Sequence, residues 1–508
     1  MREALVLSDA PVLARRGRIC CCLIAALRRR ARRAPIKRDQ FLLFPEHAVI
    51  STFPSPALRG ALIGLCATAA LPAHAQSSGK DDKGVVFSID ATTRARGEVI
   101  DGQFRPGVPA DDAFVSFRTT VAAKAELGPI AVGGEIVDAR GYGQRAGSSV
   151  RTSEVNALEP VQAYVAYRAS DAFAKGATAT VTGGRFALDI GSSRLVSRTD
   201  FPNTVQSYLG GMIDWRSKGK DRVVAFWSKP FSTLPDTVAD IEDNKIQLDR
   251  AGGNLTFFGA SAMAAKAFGN ISAEAYGYRL AEDDRTTRLT RNRHLVTAGL
   301  RLRRAPAKGA FDFEGEGAWQ WGTARATTAA SDVRDLDVRA GFTHVEAGWT
   351  APRGWTPRVS AMFDYGSGDG RDAGSYGRFD SLFGARRADF GPNGLYGPVG
   401  RSNLISPGVR LEAKPSKRLD LMAAVRGLWL AQATDSFAST SVRDRNGASG
   451  RHAGTQFEAR ARRWLVPERL RLEVGGAWLA KGRFLETAPN APATGDTHYG
   501  YVDLAASF

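Results

Sequence analysis

The sequence predicts an all-β fold, a transmembrane antiparallel β-barrel of about 18 strands. Three observations predict it. No stretch of the 508 residues approaches the roughly 20 consecutive apolar residues of a spanning helix, although 43% of the chain is hydrophobic. A hydrophobic period of two recurs from near Phe87 onward. The last such segment ends, with the chain, on an aromatic side chain, Phe508.

Residues 1–75 read as a presequence and stand outside the fold. In RGALIGLCATAALPAHAQ, residues 59–76, a positive flank at Arg59 precedes an apolar stretch from Ala61 to Leu71 and a small-x-small site at Ala73, His74 and Ala75. That pattern is a secretory signal with cleavage expected after Ala75. Lipidation is not expected, because Cys66 follows Leu65 where a lipoprotein signal needs a small residue. The upstream RRGRICCCLIAALRRRARR has an apolar centre of about seven residues, too short to span, and residues 1–48 read as an over-extended start. Of the 69 Lys+Arg and 52 Asp+Glu, 12 and 4 lie in residues 1–75, which leaves 57 against 48 and a net charge of +9. Cys20, Cys21, Cys22 and Cys66 leave with the presequence, so neither disulfides nor thiol metal sites are expected.

From there the elements follow in chain order. The stretch GRFALDIGSSRLVSRTDFPN, residues 184–203, alternates charge with hydrocarbon, which places Arg185 and Asp189 toward a lumen and Phe186, Leu188 and Ile190 toward lipid. Residues 230–253 are Asp-rich without apolar period and read as an extracellular loop that can fold into the mouth. In AFDFEGEGAWQWG, residues 310–322, Phe311, Phe313, Trp319 and Trp321 oppose Asp312, Glu314, Glu316 and Gln320. DLDVRAGFTHVEAGWT shifts phase between Phe342 and Val345, where either a bulge or a misread register is expected. In RVSAMFDYG, Val359, Ala361, Phe363 and Tyr365 oppose Arg358, Ser360 and Asp364.

The loop GSGDGRDAGSYGRFD, residues 366–380, carries Asp369, Asp372 and Asp380 but lacks the spacing and terminal Glu of a calcium loop, so a turn is expected. In ERLRLEVGGAWLA, Leu470, Leu472, Val474 and Trp478 oppose Arg469, Arg471 and Glu473. In YGYVDLAASF, Gly500, Val502, Leu504, Ala506 and Phe508 share one face, and a final strand ending in Phe resembles the assembly signal of bacterial outer-membrane barrels, read by the barrel-assembly machinery. A soluble sandwich also alternates, but tilted membrane strands need about 9–11 residues each, and the segments reach that length.

The block at 184–203 and a second, GRFDSLFGARRADFGPNGLYGPVGRSNLISPGVRLEAKPSKRLDL, residues 377–421, with its FDYGSGDG lead-in at 363–370, resemble the alginate-export family of outer-membrane porins. The resemblance extends over nearly all of residues 85–508. It implies an 18-strand barrel in the outer membrane of a Gram-negative cell, with an arginine-lined, anion-selective pore for a uronate polysaccharide, an extracellular lid and a periplasmic plug.

The chemistry of such a pore is simple. Each sugar of a polyuronate carries a carboxylate, and a guanidinium offers paired donors that match it. Interleaved acids keep each site weak enough for release. Both blocks hold the mixture: Arg185, Arg194 and Arg198 with Asp189 and Asp200, then Arg378, Arg386, Arg387 and Arg401 with Asp380 and Asp389. The alternative role for any one of these arginines is a lipopolysaccharide headgroup contact or a local ion pair. A general or small-sugar porin is the alternative function, and an adhesive barrel a third. An enzyme is not expected: only His294, His344, His452 and His498 remain after residue 75, none in a nucleophile motif. No cofactor or metal is expected, and no nucleic acid, because the basic clusters lie in the presequence. Lipid, lipopolysaccharide and uronate oligomers are the expected partners.

Overall fold

The computed structural model describes residues 77–80, 84–199, 201–285 and 289–508. The presequence and its cleavage site lie outside the described residues. Eighteen strands form the wall. The first nine are β1 (Val86–Asp101), β2 (Asp111–Leu127), β3 (Ile130–Tyr142), β4 (Asn156–Ser170), β5 (Thr178–Phe186), β6 (Tyr208–Arg216), β7 (Arg222–Ser232), β8 (Leu255–Phe268) and β9 (Ile271–Glu282). The second nine are β10 (His294–Arg304), β11 (Phe311–Ala324), β12 (Leu336–Thr350), β13 (Arg358–Gly366), β14 (Leu404–Ser416), β15 (Leu419–Trp429), β16 (His452–Val466), β17 (Leu470–Lys481) and β18 (Thr497–Ser507).

Each strand pairs antiparallel with the next, and β18 returns to β1 from Thr92 opposite Ser507 to Asp101 opposite His498. Closure removes every open edge, the condition for backbone to cross hydrocarbon. Connections are short at one end, two residues between β2 and β3, and long at the other. The start of β1 and the C-terminus lie at the short-turn end, which is periplasmic in such barrels.

Burial is inverted relative to a soluble sheet. On β11 Phe311 and Trp319 are 72% and 55% exposed, whereas Asp312 and Gln320 are 4% and 0% exposed. The outer face therefore offers hydrocarbon to lipid and the inner face carries charge, as the alternation predicts. Inside, rings lie flat against glycines of neighbouring strands. A Cβ at Gly133 would sit 2.5 Å from the Tyr164 ring, one at Gly299 2.5 Å from Tyr276, and one at Gly475 2.6 Å from the Tyr501 hydroxyl. These pairs fill the space over a missing side chain and fix register.

Two expectations need correction. Strand β5 stops at Phe186, so Phe186, Leu188 and Ile190 do not meet lipid; they are buried in an apolar cluster with Tyr208, Phe226, Phe257 and Tyr278. No bulge interrupts β12, which pairs with β11 residue for residue from Leu336 to Trp349. The phase shift arises because Phe342 turns inward with Ala340 and His344, where the loop residue Phe379 covers it at a ring separation of 5.1 Å. At Phe342 the lumen is apolar because a loop packs against it, so an inward position need not be polar.

The loop after β7 carries a short helix, Val238–Glu242. Its Ile241 enters a second buried cluster with Phe104, Phe114, Tyr396 and Phe437, and the Asn244 side chain holds both backbone groups of Gly141, at 2.7 and 2.8 Å. In the Asp-rich turn, Asp372 accepts from Gly374 and Ser375, and Asp380 pairs with Arg293, so these carboxylates are used separately.

Candidate functional site

Two segments leave the wall and fold inward, residues 187–199 with 201–207 between β5 and β6, and residues 377–403 before β14. Glycine allows their approach: a Cβ at Gly384 would lie 1.7 Å from the Arg194 carbonyl oxygen. The segments join by backbone hydrogen bonds. Ser197 N donates to Phe383 O at 3.1 Å, Phe383 N to Leu195 O at 3.0 Å, and Ala385 N to Ser193 O at 2.9 Å.

An ionic cluster closes this junction. The Arg194 guanidinium donates to both Asp389 oxygens at 2.9 and 3.0 Å, and to Glu314 and Glu316 of β11 at 2.5 and 2.6 Å. Arg401 donates to the same Asp389 and to the Ala385 and Arg194 carbonyls. Burial acts to raise the Asp389 carboxyl, but Arg194 and Arg401 hold it well below the usual carboxylate range. Of the residues expected to line the pore, Arg194 and Arg401 are thus brought together, and they fasten one inward segment to the other and to the wall.

The remaining residues are dispersed. Arg185, at the end of β5, donates to Glu159 at 2.5 Å, Ser207 at 3.0 and 2.8 Å and Asp249 at 3.3 Å, and stacks 3.6 Å over Phe231. Asp189 accepts from Ser193 and from the Arg198 backbone within its own turn. Arg198 reaches Glu135 of β3. Arg378 holds Asp435 at 2.7 Å and two carbonyls of the loop after β15. Arg387 binds Glu458 at 2.7 Å and Glu473 at 3.3 Å. Asp200 lies outside the described residues.

Arg386 differs. It donates to Asn393 at 2.8 Å, Ser439 at 2.9 Å and the Val399 carbonyl, and to no carboxylate. Arg105 approaches the same loop, donating to the Leu395 and Tyr396 carbonyls at 2.9 and 2.6 Å. Arg151 donates to the carbonyls of Ser148 and Val150. Among the described residues none of the three forms an ion pair. Burial, Arg386 and then Arg151 push Arg105 down to about 9, and burial and Arg401 push Arg386 down to about 10. Beyond burial, each is lowered by neighbouring guanidinium groups, a field that an anion would relieve.

The strands carry more arginines than the two blocks. Arg94, Arg96, Arg301, Arg358, Arg410, Arg426 and Arg460 face inward, Arg96 donating to Asp503 at 2.9 and 2.7 Å. Alternation in TTRARGEVI would have found the first two. His344, Asp364 and Asp389 are close enough to hold a cation, yet Arg194, Arg401 and Arg426 already engage those carboxylates. Three guanidinium groups at that place oppose a metal ion electrostatically.

The family described as alginate export matches residues 86–496. No curated protein matches the sequence. Among solved structures, OccAB1 of Acinetobacter baumannii is similar over 86% of this chain and 99% of its own, with 12% identity and a TM-score of 0.50. A BenF-like porin of Pseudomonas fluorescens Pf-5 covers 83% and 98% with 10% identity and a TM-score of 0.50, and OccK9 of Pseudomonas aeruginosa 83% and 98% with 12% and 0.50. At these identities the structural likeness carries the fold alone, an outer-membrane β-barrel. With the family match over most of the chain, it follows that the chain belongs to the alginate export family and is an outer-membrane porin.

Proposed function

We propose that this porin conducts an anionic uronate polysaccharide, and that Arg105, Arg151 and Arg386 provide the attraction. The observation that supports it is the lack of carboxylate partners around these three groups, in a lumen where the other arginines of the two blocks are matched by acids. Paired arginines bring no net charge to a passing polymer, whereas unpaired ones hold a carboxylate by charge-assisted bonds. Arg194, Arg401 and Arg387 act through position: they set where Arg386 stands. Transport then needs no catalytic group. The mature chain begins after Ala75, which the mass of the outer-membrane form checks.

A general or small-sugar porin is the second reading, and one observation favours it: Arg185, Arg194, Arg378 and Arg387 are all neutralised locally. Single-channel current through the mature chain in a planar bilayer, with and without uronate oligomers, separates the two. Anion-selective current blocked by oligomers, with block weakened in Arg386→Ala and Arg105→Ala but retained in Arg185→Ala, supports the polyuronate pore. Unselective current indifferent to oligomers and to all three substitutions leaves the general porin.

A further inference from the structure

We propose a second site for the same class of ligand, a subsite for one uronate ring in the inner wall of the periplasmic half, across β2 to β6. It rests on the polyuronate reading above. The wall there is hollowed by a cavity of about 230 Å³. That is below the roughly 300–1,000 Å³ of sites for drug-sized ligands, so it suits a single sugar ring and not a length of chain.

The hollow follows from register. Lys124 of β2, Gly133 of β3 and Tyr164 of β4 are direct neighbours in one row, and in the next Ala131, Ala166 and Thr182 follow one another. Glycine and alanine leave the floor low. The Tyr164 ring lies down over Gly133, with its phenol carbon 2.5 Å from where a Cβ would stand, so its other face is presented to the lumen. An aromatic face of that kind packs against the apolar face of a pyranose.

Charge selects the sugar. Lys124 Nζ is 2.5 Å from Glu126, which it neutralises. Arg168 stands on the inward side of β4, opposite Thr180, and its guanidinium has no hydrogen-bond partner among the described residues. The lining therefore holds one positive charge in excess, and the hydroxyl-bearing Tyr164, Thr180 and Thr182 line the same cavity. One carboxylate with ring hydroxyls beside it is the complement, a hexuronate, and a neutral hexose lacks the anionic half. The cavity lies at the short-turn end of the wall, beside the β2 to β3 turn, away from Arg105 and Arg386 on the long loops. It thus acts where a polymer end is first or last held.

The test is equilibrium binding of glucuronate and of glucose to the mature barrel in detergent micelles, read by saturation-transfer NMR. The wild type is compared with Arg168→Gln, Tyr164→Leu and Tyr164→Phe, each checked for the compact heat-modifiable form. Glucuronate is expected to bind and glucose not. Arg168→Gln is expected to weaken binding about tenfold, the loss of one charge-assisted hydrogen bond. Tyr164→Phe keeps the ring over Gly133 and serves if Tyr164→Leu fails to fold; it is expected to lose only the hydroxyl contribution.

Glucuronate binding indifferent to Arg168→Gln and to both Tyr164 variants overturns the subsite, as does glucose binding of equal strength. If glucuronate does not bind while uronate oligomers still block the current, the subsite falls and the polyuronate pore stands. If neither binding nor block is seen, both readings fall.

Discussion

Asp389 decides how firmly the inward segments are joined, because Arg194 and Arg401 share its carboxylate. In Asp389→Ala both guanidinium groups lose their common partner, and stranding one buried charge costs about 3–5 kcal/mol. A lower melting temperature and a noisier open current are expected; an unchanged melting curve contradicts the assignment of Asp389 as the shared anchor. Glu154 behaves in the opposite sense. Burial and then Glu98 push its carboxyl up to about 8, and one of its oxygens is buried without a hydrogen-bond partner. An acid that binds its proton more tightly when folded stabilises the fold below its unfolded value, near 4.3, and loses that contribution as pH rises through about 8. The barrel is therefore expected to melt higher at pH 6 than at pH 9, and Glu154→Gln to shrink that difference, as thermal denaturation at both values checks.

Strands were far more legible than loops, and the reason is which surroundings reward which side chain. Along β11 and β13 lipid takes one face and the charged lumen the other, so Phe311 to Trp321 and Val359 to Tyr365 declare their orientation by alternation alone. At GRFALDI the same alternation continues past the end of β5 into a segment that packs inside the barrel. Lipid and an interior apolar cluster both select hydrocarbon, so Phe186 and Leu188 read as lipid-facing when they are buried. For the arginines the missing information is the partner: Glu314, Asp435 and Glu458 are distant in sequence from Arg194, Arg378 and Arg387.

Orientation within a strand is testable by charge. Leu300, in the middle of β10, is 68% exposed, and Leu300→Arg is expected to cost about 2–4 kcal/mol near the bilayer midplane. Its neighbour Arg301 faces the acids Glu274 and Glu314, so Arg301→Leu is expected to disturb the lumen while the chain still folds. Urea unfolding from liposomes measures both, and equal losses would mean the faces are misassigned.

Closure joins the first and last strands of the wall. Ten residue pairs, Thr92 to Asp101 against Ser507 to His498, hold β1 to β18, and Phe508 adds the last rung, donating to the Ala91 carbonyl at 2.9 Å and accepting from Ala91 N at 3.3 Å. A rung at the end of a ten-pair ladder contributes little to the finished wall, since a single net hydrogen bond is worth about 0.5–1.5 kcal/mol. Recognition of the terminal aromatic during assembly would instead act before closure, when the wall is still open. The two roles separate by measurement. Deleting Phe508 is expected to reduce the heat-modifiable barrel in the outer membrane of cells several-fold, while the same chain refolded into liposomes melts within a few degrees of wild type. If membrane level and melting temperature fall together, Phe508 is a packing residue, and what the C-terminal sequence carries is the last turn of the ladder and no assembly signal.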